Sequence, residues 1–431
     1  MNVVNHTPFP AQAFEAVDQH EQRFHVFVLR QTLDFSSGKL EYADTQAPLC
    51  DADTYFDDGG VRQESDYCPY KPKCDVIVNA VAHAPKGQAV AGFLVGLNVV
   101  RGGRRIIEKV LSISGRRYFK KRAWAVRCVQ FFVRWGTLFL LRPNPWKITK
   151  PELLKSLPLR ACYAYGGECR IAADDRGARR VARKYRLTPE QAAQHPYVQI
   201  SRLAPPAAHV AYEPNIQGLG FAPEWYLKAT KTRRVAVPQI EALRLRITAK
   251  QFWRAKGAPA IDPVGMGVRS KLHPQRRAML GEVDDAFVNS SAALPEGFDF
   301  GIWNAAHPDQ QVDFLTGGDV VELINLCPLN TLGAHANTKG NLLLQLRLPE
   351  HECFLRMQLE GGSARVVALS IDTVIVEPED HQLTLVWRAA IPMDEVTGIN
   401  LCEFRMRPFA ERDLARCSIK QLWEIEEESV A

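Results

Sequence analysis

The sequence predicts a mainly β protein: antiparallel sheets in a sandwich- or barrel-like arrangement, a few short helices and long irregular connections. Three observations carry this expectation. Runs rich in β-branched and aromatic residues recur between residues 20 and 126 and again between 320 and 408, separated by short turns with Gly or Pro. Helical periodicity is rare. Between about 195 and 295 the chain is rich in Pro, Gly and charged residues with weak periodicity, as suits irregular connections and short strands draped over a β framework. The 431 residues would allow two or three domains at roughly 150 residues each. No long Gly/Ser linker and no solenoid-period repeat divides them. The expected organisation is one β-rich module over 1–410, β-dense at about 20–126 and 320–408 and irregular at about 127–319. A C-terminal helix and acidic tail follow over 411–431.

In chain order, strands are expected at 24–33, 75–83 and 91–100. Gly102-Gly103 then turns the chain into a returning strand at 106–113, and a further strand runs from Tyr118 to Val126. In the C-terminal part, 341–348 is followed by 352–359 with Pro349 and His351 in the turn between them, as in a meander. Residues 365–376 form another strand, paired with 382–391 across Pro378-Glu-Asp-His381. The best helix runs from Arg179 to Gln194, with Thr188 as N-cap and Pro189 at N1, and a second covers Arg412 to Glu427.

Composition excludes several classes. Hydrophobic residues at 46% and charged residues at 24% suit a soluble globular chain able to bury a core, and 28 Gly with 27 Pro exclude a collagen-like or low-complexity one. The N-terminus shows no cationic n-region before an apolar run, so no signal peptide is expected. The most apolar stretch, 129–141, is shorter than the roughly 20 residues a membrane helix needs, so no membrane span is expected. Ten scattered cysteines contain no C-x-x-C pair. Cys68 with Cys74, or Cys162 with Cys169, could close a small loop, but buried free thiols in a reducing cytoplasm are the better reading.

Charge is unevenly placed. The total is +6, yet from Arg101 to Lys150 fourteen Lys/Arg face one acid, Glu108, a local net of +13 that leaves −7 for the rest. Within this segment Arg116, Arg117, Lys120, Lys121 and Arg122, close to Tyr118 and Trp124, form the densest cluster. Cations interleaved with aromatics suit nucleic acid, but no recognition helix or RNP-like motif accompanies them. An acidic protein partner would be met by the same charges.

No catalytic, cofactor-binding or metal-ligating set emerges. G-x-x-x-x-G-K-[ST], G-x-S-x-G and H-E-x-x-H are absent. Gly265-Met-Gly267 and Gly218-Leu-Gly220 read as turns that need positive φ. The polar loop from Asn304 to Gln311, with His307, Asp309 and Gln310, is the one stretch suited to an enzyme site. No acid–base–nucleophile set accompanies it, and the chain is expected not to be an enzyme.

Several segments together resemble one family. Ser65-Asp66, Pro69, Lys71-Pro72 and Asp75-Val76, followed by Ala82 and Pro85, resemble the S-D-x-x-P-x-K-P-x-x-D-V…A-x-x-P signature of the family called domain of unknown function 2169. Asn5-His-Thr-Pro-Phe9 and the strand ending Thr32-Leu-Asp-Phe35 resemble its opening. Phe298-Asp-Phe-Gly-Ile-Trp-Asn304 with Pro308-Asp309-Gln310-Gln311, then Gly317 to Glu322 and Asn325, continue the likeness. Asp372-Thr-Val374 and Leu383-Thr-Leu-Val-Trp387-Arg388 close it. Tyr165, Asn215 and His307 depart from the pattern at single positions. The resemblance spans about residues 5–395 and implies a non-enzymatic adaptor or chaperone of bacterial type VI secretion. Such a protein binds a secreted effector, PAAR-type or PAAR-fused, and helps to load it onto the spike protein VgrG. The motif residues themselves suit a scaffold. Pro69 and Pro72 pre-set a bend before the strand at Asp75, and Lys71 lies between two acids, Asp66 and Asp75. Asp309, Gln310 and Gln311 offer groups that can pin a neighbouring loop.

Overall fold

A computed structural model describes residues 1–123, 144–195, 205–290, 293–360, 362–394 and 398–409, with the backbone of 426–428. The longest strand, Arg23–Asp34, buries everything from Val26 to Leu33. Its two flanks are covered by Ala11–Val17 and by Gln382–Pro392, which pairs with it antiparallel without interruption from Phe24↔Pro392 to Asp34↔Gln382. Ser370–Glu377 follows, then Cys74–Val78, which runs parallel to it with Thr373 opposite Asp75, and Gln311–Val312 closes that side. A parallel neighbour is buried on both faces, and all five residues of Cys74–Val78 are buried.

A second, six-stranded antiparallel sheet has the order Ile240–Ala242, Arg104–Ser114, Gly92–Arg101, Val320–Ile324, Leu342–Arg347, His335–Ala336. A third, five-stranded sheet places Asn2–Asn5 parallel to Ile399–Pro408, followed by His351–Leu359, Ala364–Ala368 and Glu426–Glu428. All three sheets feed one apolar cluster, to which they contribute Leu29 and Leu385, Leu97 and Leu323, and Leu355 and Phe404 respectively. The strand-rich, mostly antiparallel class is as expected, and the described sheets do not close into a barrel.

Four elements differ from expectation. Leu342–Arg347 and His351–Leu359 do not form a meander but belong to different sheets, with His351 already in the second strand. The single strand expected over 365–376 is two, Ala364–Ala368 and Ser370–Glu377, also in different sheets. At the crossing, Leu369 is buried and its N–H donates to the Cys353 carbonyl. Arg179–Gln194 is helical only at Pro189–Ala193, where Thr188 and Gln191 form a capping box; 3₁₀ turns at Ala178–Arg180 and Arg183–Tyr185 precede it. Tertiary bonds override helix propensity there: Val181 is buried beside Ala229, whose carbonyl accepts from Arg180 Nη1. Glu426 and Glu427, placed in a C-terminal helix by the sequence, form a strand against Ala364–Val366. Residues 410–425 of that region lie outside the described residues, as do 129–141 and Trp124–Val126.

Among the described residues no helix is long and apolar enough to cross a membrane. Cys68, Cys74, Cys162 and Cys169 are free thiols. The irregular middle carries a small core of its own. Phe119, Trp146, Tyr165 and Phe252 pack together, with Phe119 stacked on Phe252 at 4.1 Å and 12°. This core supports a three-stranded antiparallel sheet, Trp146–Ile148, Tyr118–Lys121 and Arg234–Ala236. Phe252 sits on the short helix Ala249–Arg254, capped by Thr248 and Gln251.

Phe119→Ala removes the ring at the centre of that core and should destabilise the protein by about 3–5 kcal/mol in urea unfolding. A loss below about 1 kcal/mol would mean that the three-stranded sheet is held by other contacts.

Candidate partner-binding site

The motif residues between Ser65 and Asp75 enclose a run of buried charges. Asp75 is fully buried on the strand Cys74–Val78, opposite Gln311 of the edge strand Gln311–Val312. Its Oδ2 accepts from Lys71 Nζ at 2.9 Å and the Ala305 N–H at 2.8 Å; its Oδ1 accepts from the Ala306 N–H at 3.1 Å and Asn304 Nδ2 at 3.2 Å. Lys71 also donates to Thr373 Oγ1 at 2.8 Å, Thr373 donates to Asp372, and Asp372 binds the Arg388 guanidinium. Burial alone would lower the Lys71 pKa, but Asp75, with Cys68 and Asp372 behind it, holds it above its ordinary value. Asp66 does not share Lys71: it takes Arg30 Nη1 at 2.9 Å, the Cys50 N–H at 2.8 Å and Gln63 Nε2 at 3.1 Å. Ser65 Oγ donates to the Cys50 and Asp51 carbonyls, and Pro69 and exposed Pro72 flank Lys71 on the loop leading to the strand.

The remaining motif residues are equally engaged. Asn325, 1% exposed, has φ 58°, a left-handed conformation that Asn tolerates. Its side chain donates to the Leu94 carbonyl and Asn341 Oδ1 and accepts from the Leu342 N–H. Trp387 Nε1 donates to Gln31 Oε1 at 3.1 Å. Glu322 accepts from Asn98 and Gln345 on the neighbouring strands.

The basic segment divides into two kinds of cation. Arg101 grips Asp319 with Nε and Nη2, Arg117 pairs with Glu241, and Lys109 meets Asp309, so acids far away in the chain neutralise them. Arg105 pairs with Glu108, the segment's own acid. Arg116, Lys120 and Lys121 stay exposed, while Arg122 is half-buried. On the three-stranded sheet Lys120 stands directly between Lys147 and Arg234 in the pairing register. All three are exposed, and none has an ion-pair partner among the described residues. Like charges directly opposite on a sheet repel. Arg234 lies over the Tyr118 ring at 3.5 Å, which fixes its guanidinium in the row.

A family model matches residues 20–388, that of the family described as "Uncharacterized protein conserved in bacteria (DUF2169)". The chain belongs to this family. No curated protein and no solved structure matches it. In this DUF2169 protein the signature residues and the cation row are separate features: the first are used inside the fold, the second face outward.

The loop from Asn304 to Gln311 is also turned to internal use. Asn304 Nδ2 donates to the Lys73 carbonyl at 2.7 Å, Gln311 Nε2 to the Ala306 carbonyl at 2.8 Å, and Gln310 Nε2 to the Val76 and Met266 carbonyls. Gln310 Oε1 and Asp309 Oδ1 together receive the buried Lys109 ammonium at 2.7 and 2.6 Å. Burial pushes the His307 imidazole well below its ordinary pKa, reinforced by Lys109, Arg269 and His273. Arg234, 114 positions from Lys120, could not be placed in the row from the linear sequence. Asp372 and Arg388 belong to the family-like segments of the sequence, but only the fold shows that they pair.

Lys109 gives a pH signature. Burial, only partly offset by Asp309, lowers its pKa to about 8 from 10.5. Between these two values the unfolded chain holds a proton that the folded one has released, so this group's contribution to stability rises with pH. Unfolding free energies of the wild type and Lys109→Met, compared from pH 8 to pH 10.5, should shift in favour of the wild type by up to about 3 kcal/mol. A difference independent of pH would place the ammonium in a solvated setting.

Proposed function

We propose that this protein is a non-enzymatic cytoplasmic adaptor, or chaperone, of type VI secretion. It binds a secreted effector, PAAR-type or PAAR-fused, and promotes its loading onto the VgrG spike. The resemblance over most of the chain supports the class of function. The observation that carries the reading is the Lys147–Lys120–Arg234 row, with Lys121 and Arg116 nearby. Three mutually repelling cations are held on a sheet that packs on its own aromatic-rich core. An acidic face on a client protein supplies the missing counter-charge, and electrostatic complementarity of this kind raises the association rate and selects partners. The internal hydrogen bonds of Asn304, Asp309, Gln310 and Gln311 support a structural rather than catalytic role for the polar loop.

Co-expression with the effector, followed by affinity capture, tests the reading. The wild type should retain the effector, and Lys120→Glu with Lys147→Glu and Arg234→Glu should weaken capture about tenfold or more, with thermal stability little changed because three anions in this register repel as three cations do. No complex with the wild type, together with undiminished effector secretion after deletion of the adaptor, would overturn the proposal. Capture indifferent to the triple reversal would remove the cation row from it. Binding to duplex DNA that falls steeply with salt, without effector capture, would favour nucleic acid instead.

A further inference from the structure

A cleft of about 460 Å³ opens between the hairpin Thr54–Tyr55/Val61–Gln63 and the segment from Pro263 to Leu272, which bends at Met266–Gly267. Its volume falls in the range of ligand-binding clefts. Three observations define what it can hold.

The first is an unpaired cation. Arg160 lines the cleft with its guanidinium carbon 3.4 Å from the centre of the Phe56 ring. That guanidinium makes no hydrogen bond and no salt bridge among the described residues; its Nη1 is buried, so the edge formed by Nε and Nη2 is the one an incoming carboxylate can meet. Asp58 and Glu379 act on it only at longer range, and burial lowers its pKa. A guanidinium held flat on an aromatic ring, with its fork unused, is a receptor for a carboxylate.

The second is open main chain. From Val264 to Val268 the Met266 carbonyl is the one backbone group that pairs among the described residues, accepting from the Val78 N–H and Gln310 Nε2. Gly265 and Gly267 were expected as turns with positive φ. Neither has one, and both line the cleft. A Cβ at Gly265 would stand 3.0 Å from His307 Nε2, and one at Gly267 3.4 Å from Asn79 Oδ1. Asn79 Oδ1 and Arg269 Nε, both on buried residues lining the cleft, also lack partners among the described residues. Free main-chain N–H and C=O groups can pair with the backbone of an incoming segment, as an unpaired sheet edge does in β-augmentation.

The third is apolar surface that a small ligand would leave uncovered. Tyr55, Ile216 and Leu272 line the cleft and are 60%, 41% and 62% exposed.

We propose that this cleft binds an extended, acidic segment of a partner protein. The segment's backbone pairs with the main chain around Gly265–Val268, one carboxylate takes the Arg160 fork, and flanking apolar side chains cover Tyr55, Ile216 and Leu272. The proposal rests on the adaptor reading only in taking that segment from the client.

A phage-displayed library of short random peptides, panned on the purified full-length protein, tests it without the client. Selected peptides should carry an acidic residue within an apolar, strand-forming run. Arg160→Ala should bind them about tenfold more weakly or worse. Gly267→Leu, which fills the cleft at a residue of ordinary φ, should abolish binding while thermal unfolding confirms both variants folded. Failure to enrich any peptide, or equal binding by both variants, overturns the proposal. Self-association lost in Gly267→Leu would assign the cleft to a second copy and equally overturn it. Retention of the effector without peptide selection would remove the cleft and leave the adaptor reading standing, whereas peptide selection without effector capture would do the reverse.

Discussion

A single carboxylate, that of Asp75, receives four donors in a space water does not reach. Two of these donors are main-chain N–H groups of Ala305 and Ala306, about 230 positions along the chain, and a third is Lys71 from the loop before its own strand. Removing one partner of such a buried set leaves an uncompensated charge, at a cost of about 3–5 kcal/mol. The requirement reaches outward through Lys71, Thr373, Asp372 and Arg388. It is met only when Ser370–Glu377 lies parallel to Cys74–Val78 with Thr373 opposite Asp75. The middle of the chain must therefore deliver residues 304–306 to the sheet edge, and the C-terminal strands must enter between Cys74–Val78 and Arg23–Asp34.

The same arrangement explains how charge is distributed. Inside, Arg30, Lys71, Arg101, Lys109 and Arg388 each have an acid in contact. Outside, the row on the Tyr118–Lys121 sheet and Arg160 in the cleft have none among the described residues. Unpaired cations held by Tyr118 and Phe56 are oriented before any partner arrives, which reduces the entropy lost on binding. Interior pairing and exterior deficit together separate residues that maintain the fold from residues free to meet another molecule.

Much of the strand content was legible because burial on both faces selects β-branched and aromatic side chains, as in Val26–Leu33 and Val95–Val99. Partner choice was not legible, since period-two alternation says which residues point together but not which strand lies beside them. This is why Leu342–Arg347 and His351–Leu359, three residues apart, part into separate sheets. The net of +13 between residues 101 and 150 was visible, yet Asp309, Asp319 and Glu241 come from the distant chain to reduce it. Arg234 enters the exposed row by the reverse route. Gly265 and Gly267 illustrate the same limit: glycine permits both a turn and an unobstructed wall, and only packing against His307 and Asn79 distinguishes them.

Hydrogen–deuterium exchange on Asp75→Asn, compared with the wild type, tests most directly whether the buried carboxylate organises the fold. Loss of its charge should release protection together in Cys74–Val78, at Ala305 and Ala306, and along Ser370–Glu377, with a global destabilisation of about 3–5 kcal/mol. Faster exchange confined to residues 304–306, with both strands and overall stability unchanged, would contradict the account.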